Sequence, residues 1–189
     1  MNLVFIRHSK SLVNPDIPIT TWGLSDEGVM LAKKLNELSQ IKNLDVIYTS
    51  LQLKALETAI LATKNLGIPV KTDDRLTEST SFTNKFVSLE QLEENNKKYF
   101  SGKQISINGG ETIEEAHSRF MIALRDIAAA EDGKSNVGIV SHGNILATFS
   151  EEIIEKNALQ LVEAIKQPDI AIFNWDSHQF TNFFGDIII

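Results

Sequence analysis

The sequence predicts an α/β fold with a mostly parallel sheet. Three short apolar runs, at residues 2–6, 45–48 and 137–140, do not alternate polar with apolar residues, which is typical of strands covered on both faces. Amphipathic segments with helical spacing lie between these runs. Because strands and helices alternate along the chain, we expect parallel strands with helices packed on the sheet.

Three segments are predicted to be the main helices. Residues 25–38 carry apolar side chains at nearly helical spacing, with charged residues on the opposite face. Residues 55–66 and 113–130 show the same pattern. Thr112 and Glu115 have the spacing of a capping box, in which each side chain satisfies a backbone amide at the start of a helix. The third helix is therefore expected to begin directly after Thr112.

The remaining regular segments are predicted to be short strands. Residues 68–71 follow Gly67, which stops the preceding helix, and are expected to add one strand to the sheet. Residues 170–175 and 179–184 are joined by a polar turn and are expected to form a hairpin at the sheet edge.

Residues 79–108 differ in character from the rest of the chain, because they are mostly polar. One short helix is predicted within them, at about 89–99, starting at a capping box of Ser88 and Gln91. We interpret this stretch as a small insertion over one end of the sheet, within a single domain spanning residues 1–189.

Composition excludes several classes of protein. The net charge of −7 argues against a nucleic-acid-binding surface, which needs a positive field. The chain has no cysteine, so disulfides, thiolate metal sites and cysteine nucleophiles are excluded. Since no apolar run has the length of a signal peptide core or a membrane span, we expect a cytoplasmic protein without a membrane partner.

Polar turns follow three of the predicted strands, and ligands of open parallel sheets bind beyond such strand ends. The turns are Arg7-His8-Ser9, residues 50–54 and Ser141-His142-Gly143. A cationic arginine and two imidazoles that converge there without nearby carboxylates would repel one another unless an anion lay between them. A phosphoryl group is the natural occupant, and backbone N–H groups near Gly143 are expected to add donors.

Motifs in these turns resemble one known family. Arg7-His8-Ser9, with Asn14 six residues after the histidine, is similar to the signature of the histidine phosphatase (phosphoglycerate-mutase-like) superfamily. Further similar segments follow in the family's order, at 24–28, 49–59, 75–78, 109–112 and 140–143. The resemblance covers roughly residues 1–145. It implies a phosphoglycerate-mutase-like fold, a three-layer α/β/α sandwich with a mostly parallel central sheet.

The resemblance also implies a catalytic set of four residues. His8 would attack phosphorus and become phosphorylated. Arg7 and His142 would bind the non-bridging phosphate oxygens. Glu78 would protonate the leaving oxygen and then activate water as general base. No metal ion and no cofactor is expected, because cationic side chains would stabilise the charge.

Substrate binding would involve four further positions. Lys54, Asn14 and Ser9 would contact the phosphate together with Gly143. Lys54 stands where the family has an arginine, and a compact ammonium cannot make the forked contact of a guanidinium. Ser9 replaces the family's usual glycine, and residues 79–82 after Glu78 lack its Gly-containing stretch. The lysine at position 54 predicts weaker binding or slower turnover, whereas the small serine side chain is expected to be accommodated.

The leading hypothesis is a metal-independent phosphomonoesterase of the histidine acid phosphatase type, which hydrolyses a small phosphorylated metabolite through His8 with Glu78 as general acid and base. The alternative is a catalytically weakened homologue that binds a phosphorylated ligand or protein. A phosphoglycerate mutase is less favoured, because it must exclude water between two phosphoryl transfers and the short polar insertion at 79–108 is a poor lid for that. A nucleotide-binding Rossmann protein would need a Gly-rich turn after the first strand, and none is present. The sequence does not predict the oligomeric state.

Substrate choice in this architecture is expected to depend on the insertion. Four of its residues are candidates for contacting the substrate, namely Phe82, Asn84, Lys85 and Phe86. Their mixture of aromatic, amide and cationic side chains is compatible with both sugar phosphates and phosphopeptides.

Overall fold

The computed structural model describes residues 1–82 and 86–189. Its strands are β1 (Asn2–Arg7), β2 (Val46–Thr49), β3 (Val70–Thr72), β4 (Asn136–Ser141), β5 (Asp169–Asn174) and β6 (Gln179–Asn182). Within the described residues these six form one sheet in the order β3-β2-β4-β1-β5-β6. Strands β1 to β4 are parallel, whereas β5 and β6 pair antiparallel. The mostly parallel sheet and the C-terminal hairpin at its edge are both confirmed.

Seven α-helices accompany the sheet in the described part of the chain. They are α1 (Asp26–Leu35), α2 (Ser39–Lys42), α3 (Leu53–Ala62), α4 (Leu89–Tyr99), α5 (Ile113–Ala130), α6 (Gly143–Ile154) and α7 (Ala158–Ala164). Helix α5 has the predicted bounds, and its capping box is complete. Outside residues 83–85, no helix is both long and apolar enough to cross a bilayer.

The prediction of one continuous helix over 25–38 was wrong. Helix α1 ends at Leu35, and a separate short helix, α2, begins at Ser39. The Asn36 side chain donates hydrogen bonds to the carbonyls of Ala62 and Lys64 at the end of α3. An amide that bonds to a neighbouring helix in this way competes with continuation of its own helix.

The predicted capping box of α4 is only half formed. Ser88 Oγ accepts the backbone N–H of Gln91, as expected. The Gln91 side chain, however, donates along the helix to Glu94 and Asn95. Asn84 and Lys85, two of the candidate substrate-selecting residues, lie outside the described residues.

Apolar side chains cover both faces of the sheet. On one face, Val4 and Ile6 of β1 pack in a cluster with Leu35 of α1 and with Ala55 and Ala59 of α3. The opposite face carries a second cluster, which includes Leu3, Phe5, Phe120 of α5 and Phe149 of α6. Because successive residues of β1 point to opposite faces, one strand supplies both clusters. The predicted three-layer α/β/α sandwich is confirmed.

The parallel pairing of β1 with β4 joins two of the polar turns. Arg7 is opposite Ser141 in the register, and the N–H of His8 donates to Ser141 O at 3.0 Å. Ser50 N–H donates to Val140 O at 3.2 Å, which attaches the turn after β2 to the same edge. The three turns therefore meet at the carboxyl end of neighbouring strands.

Candidate active site

A cavity of about 540 Å³ opens where these turns meet. Four of the predicted site residues line it, and they are Arg7, His8, Lys54 and Glu78. His142 lies behind His8, with 5.0 Å between the centroids of the two rings. The strand ends thus bring two imidazoles and two cationic side chains together, as the sequence predicted. The carboxyl group of Glu78 lies among them, so the assumption that no carboxylate is near these cations was wrong.

His8 is buried, and hydrogen bonding fixes the role of each ring nitrogen. Nδ1 lies 2.8 Å from the carbonyl oxygen of Ser9. A carbonyl oxygen only accepts, so Nδ1 carries the hydrogen and Nε2 has a free lone pair. Burial lowers the pKa of His8 well below its usual value, and the positive charges of Lys54 and Arg7 lower it further. The ring is therefore a neutral imidazole with a nucleophilic Nε2.

His142 is held by a residue that sequence reasoning did not identify as part of the site. Its Nε2 lies 2.7 Å from Ser50 Oγ, and this oxygen also accepts the backbone N–H of Gln52 at 3.2 Å. Nδ1 of His142 is buried and has no hydrogen-bond partner in the described residues. Burial lowers the pKa of His142 well below its usual value, and His8 and Lys54 act in the same direction.

These contacts together indicate the tautomer of His142. Within the described residues, Nε2 of His142 is the one acceptor in hydrogen-bond range of the Ser50 hydroxyl, whose oxygen also accepts the N–H of Gln52. We therefore assign the hydroxyl as donor to Nε2 of His142. Nδ1 of the neutral ring then carries the hydrogen, and it makes no hydrogen bond to the described residues. Ser50 was placed in the turn after β2 by its sequence motif, but only the structure pairs it with His142.

Arg7 lies across the start of α6. Its Nη1 donates to the carbonyl of Ile165. A Cβ added to Gly143 would lie 2.8 Å from Arg7 Nη2, so glycine at this position leaves room for the guanidinium. Burial lowers the pKa of Arg7, while Glu78 and Asp169 act in the opposite direction. The close approach of the guanidinium gives Gly143 a steric role, which is separate from its predicted role as a backbone donor.

Lys54 lies in the first turn of α3 with its side chain buried. Burial lowers the pKa of its ammonium group to about 8; the nearby Glu78 opposes the shift, and Arg7 adds to it. Within the described residues, the ammonium group of Lys54 makes no hydrogen bond, and only burial and neighbouring charges shift its pKa. The cation is therefore available to an anion in the cavity.

Glu78 occupies the N-terminus of α6. Its Oε2 accepts the backbone N–H of Asn144 at 2.9 Å, and Oε1 accepts those of Ile145 at 3.1 Å and Ser79 at 2.9 Å. Burial raises the pKa of the carboxyl group, whereas the bonds from Asn144 and Ser79 and the charges of Lys54 and Arg7 lower it. The amides that were expected to bind phosphate are thus donated to Glu78.

Ser9 and Asn14 do not line the cavity. The hydroxyl of Ser9 is buried and donates to Gly28 O at 2.7 Å, which attaches the turn to α1. Oδ1 of Asn14 accepts the backbone N–H of Asp16 at 3.0 Å. Both side chains therefore stabilise the loop after β1 in this structure.

Within residues 1–82 and 86–189, no group of three or more His, Cys, Asp or Glu side chains is arranged to hold a metal ion.

Comparison with known proteins agrees with the fold and with the order of the motifs. The family model of the histidine phosphatase superfamily (branch 1) matches residues 3–182. Comparison with curated protein sequences gave no significant match.

Three solved structures illustrate the likeness. Bacillus stearothermophilus YhfR has a TM-score of 0.80 at 22% identity, covering 100% of this chain and 98% of its own. A mycobacterial glucosyl-3-phosphoglycerate phosphatase has a TM-score of 0.79 at 17% identity, covering 99% of each chain. A mutant phosphoserine phosphatase from Entamoeba histolytica, in complex with phosphoserine, has a TM-score of 0.77 at 23% identity, covering 97% of this chain and 95% of its own.

Proposed function

Because the chain belongs to the histidine phosphatase superfamily, we propose that it is a phosphatase that hydrolyses a phosphomonoester through a phosphohistidine on His8. The single observation that carries the proposal is the hydrogen bond of His8 Nδ1 with Ser9 O at 2.8 Å. It directs the lone pair of a neutral Nε2 to a cavity that two cationic side chains, Arg7 and Lys54, also line. A nucleophile beside two cations is suited to attack on a phosphate dianion.

In the first step, Arg7 and Lys54 bind the non-bridging oxygens of the substrate. Nδ1 of His142 donates a third hydrogen bond to the same group. Nε2 of His8 then forms a bond to phosphorus while the ester P–O bond breaks. The leaving oxygen takes its proton from the carboxyl group of Glu78, so an alcohol departs and a carboxylate remains.

In the second step, water attacks the phosphorus of the phosphohistidine and the P–N bond breaks. The carboxylate of Glu78 accepts a proton from this water, which regenerates the carboxylic acid. Inorganic phosphate is released, and His8 returns to its neutral form. In this account Arg7 and Lys54 stabilise the charge on the phosphoryl oxygens, and no step requires a metal ion.

Burial of Glu78 supports its role as the acid. Desolvation raises the pKa of the carboxyl group and so favours the protonated form that the first step requires. After the leaving group departs, the amides of Asn144, Ile145 and Ser79 stabilise the carboxylate. The same group is thus supported in both of its protonation states.

The alternative function is binding of a phosphorylated ligand without turnover. One observation favours it, namely that both oxygens of Glu78 accept backbone N–H groups, which stabilises the ionised form of the proposed acid. The Lys54→Arg variant distinguishes the two functions. A large rise in kcat/KM would identify an enzyme slowed by lysine. Phosphate binding without turnover in both forms would identify a binding protein.

The direct test is release of phosphate from generic phosphomonoesters in the presence of a chelator. Wild type should turn over, and His8→Ala should lose activity by several orders of magnitude. His178→Asn is a matched control, because this histidine lies in the β5–β6 turn with a φ of 53°, which asparagine tolerates. Equal, slow release by wild type and His8→Ala would refute the proposal.

A further inference from the structure

The cavity continues beyond its phosphate end, and apolar side chains form most of that continuation. They come from three segments that are distant in sequence, namely the loop after β1, residues 79–108 and α7. The apolar side chains of the wall include Val13, Trp22, Phe82, Phe86, Leu92 and Val162. A volume of about 540 Å³ is within the range of small-molecule sites and exceeds what a phosphate group needs.

The aromatic part of this wall is preformed. The indole Nε1–H of Trp22 donates to Asn14 O at 2.8 Å, which fixes the ring. Phe86 packs on Trp22, with 5.9 Å between ring centroids and 54° between ring planes. Phe82 is held edge-on against Tyr99, with centroids 4.9 Å apart. A ligand would meet these rings without first having to order them, which favours binding.

Several apolar residues of the cavity wall are exposed to solvent. Val13 is 58% exposed, Phe86 38% and Leu92 36%, although all three are large and apolar. They line one cavity and are not scattered over the surface. Grouped apolar exposure of this kind marks a surface that a ligand or partner covers.

Charge is distributed unevenly along the same cavity. In the described part of the chain its lysine and arginine side chains are Arg7 and Lys54, which belong to the phosphate end. Two exposed carboxylates, Glu93 of α4 and Glu163 of α7, also line the cavity. A second anionic group on a substrate would therefore lie near these two carboxylates, whose charge raises its free energy in the site.

We propose that the site takes phosphomonoesters whose leaving group is uncharged and largely apolar, such as an arylalkyl group, and discriminates against esters that carry a second anion. The inference rests on the proposed function, since it assigns the phosphate to Arg7, His8 and Lys54. The leaving group packs on Trp22 and Phe86.

The test measures binding of two phosphonates to the full-length wild-type chain by calorimetry. One is 2-phenylethylphosphonate, and the other is 3-phosphonopropionate, which replaces the ring with a carboxylate. Their C–P bonds are not hydrolysed, so affinity is measured whether or not the protein is a phosphatase. The phenylethyl compound should bind roughly tenfold tighter or more, as expected for burial of a ring.

Variants identify the residues responsible. Phe86→Ala should weaken the binding of 2-phenylethylphosphonate by about fivefold or more and leave the affinity for 3-phosphonopropionate unchanged. Ile60→Ala is the matched control, because Ile60 is 50% exposed on α3 and does not line the cavity, and it should change neither affinity. Glu93→Gln combined with Glu163→Gln should tighten 3-phosphonopropionate several-fold.

Three results would overturn the inference. They are equal or tighter binding of 3-phosphonopropionate, an equal loss of both ligands in Phe86→Ala, and no binding of either phosphonate. Failure of the proposed function gives a different pattern: selective binding of 2-phenylethylphosphonate persists, but 2-phenylethyl phosphate is not hydrolysed.

Discussion

Ser50 Oγ lies 2.7 Å from Nε2 of His142, and it links the turn after β2 to the turn after β4. Within the described residues Nε2 is the one acceptor in range of this hydroxyl, so the hydroxyl donates to the histidine while its oxygen accepts the backbone N–H of Gln52. This contact favours the tautomer of His142 in which Nδ1 carries the hydrogen. Ser50 is thus a positioning residue that acts on the phosphate through His142.

Ser50→Ala is expected to reduce kcat/KM by about tenfold, because His142 then populates both tautomers. Nitrogen NMR of His142 should show a mixture of tautomers in the variant and one in the wild type. Ser141→Ala is the control, since Ser141 is equally buried and its hydroxyl donates to the carbonyl of Leu76. Loss of activity without a change of tautomer would contradict this role.

Lys54 makes anion binding depend on pH. Its pKa is lowered to about 8, so the ammonium is charged at neutral pH and loses its proton as pH rises through about 8. Tungstate remains a dianion across this range, so its affinity should fall from about pH 7 to about pH 9 in the wild type. Lys54→Arg keeps its charge and should show a flat profile. A fall of equal size in both proteins would exclude Lys54 as the titrating group.

Burial of the Lys54 charge also costs stability. A lysine whose folded pKa lies below its unfolded value of 10.5 destabilises the fold at neutral pH, and the cost is relieved as pH rises from about 8 toward 10.5. Lys54→Met should therefore raise the free energy of unfolding at neutral pH by up to about 3 kcal/mol. The gain should shrink above about pH 8.

Urea denaturation at several pH values measures this difference, with Lys64→Met, an exposed lysine, as the control. The same Lys54 variant should bind tungstate more weakly. Such a pattern would mean that the residue reduces stability in order to bind an anion, as is common at functional sites. A variant that is less stable than wild type at every pH would contradict it.

Gly143→Ala tests the placement of Arg7. The added Cβ would lie 2.8 Å from Nη2, so the guanidinium has to move. We expect kcat/KM to fall by about tenfold or more, with little change in stability because alanine favours a helix. Gly102→Ala is the control, since its Cβ would meet only the flexible end of Ile105 at 3.3 Å. Unchanged kcat/KM would show that Arg7 tolerates displacement.

Much of the site follows from local patterns. The apolar runs at β1 and β4 predict neighbouring parallel strands, and residues that follow neighbouring strands are close in space. That is why His8 and His142 could be expected to meet before any coordinates were known. Arg7 and Lys54 follow from the same reasoning, because each occupies a turn at a strand end.

Other contacts depend on details that no local pattern contains. Glu78 reaches the amides of α6 only because the chain after β3 turns toward that helix. The end of α1 depends on Asn36, whose partners lie at the end of α3. The wall around Trp22 and Phe86 combines distant segments, so its character is visible only after folding.

The central claim is tested most directly by trapping the phosphoenzyme during turnover of a phosphomonoester. An alkaline quench preserves phosphohistidine, and mass spectrometry with phosphorus NMR then locates the phosphoryl group and the nitrogen that carries it. Because Nδ1 of His8 is bonded to Ser9 O, the account predicts phosphorylation of His8 at Nε2 and none in His8→Ala. Phosphorylation at Nδ1 or on another residue, or turnover that persists in His8→Ala, would contradict it.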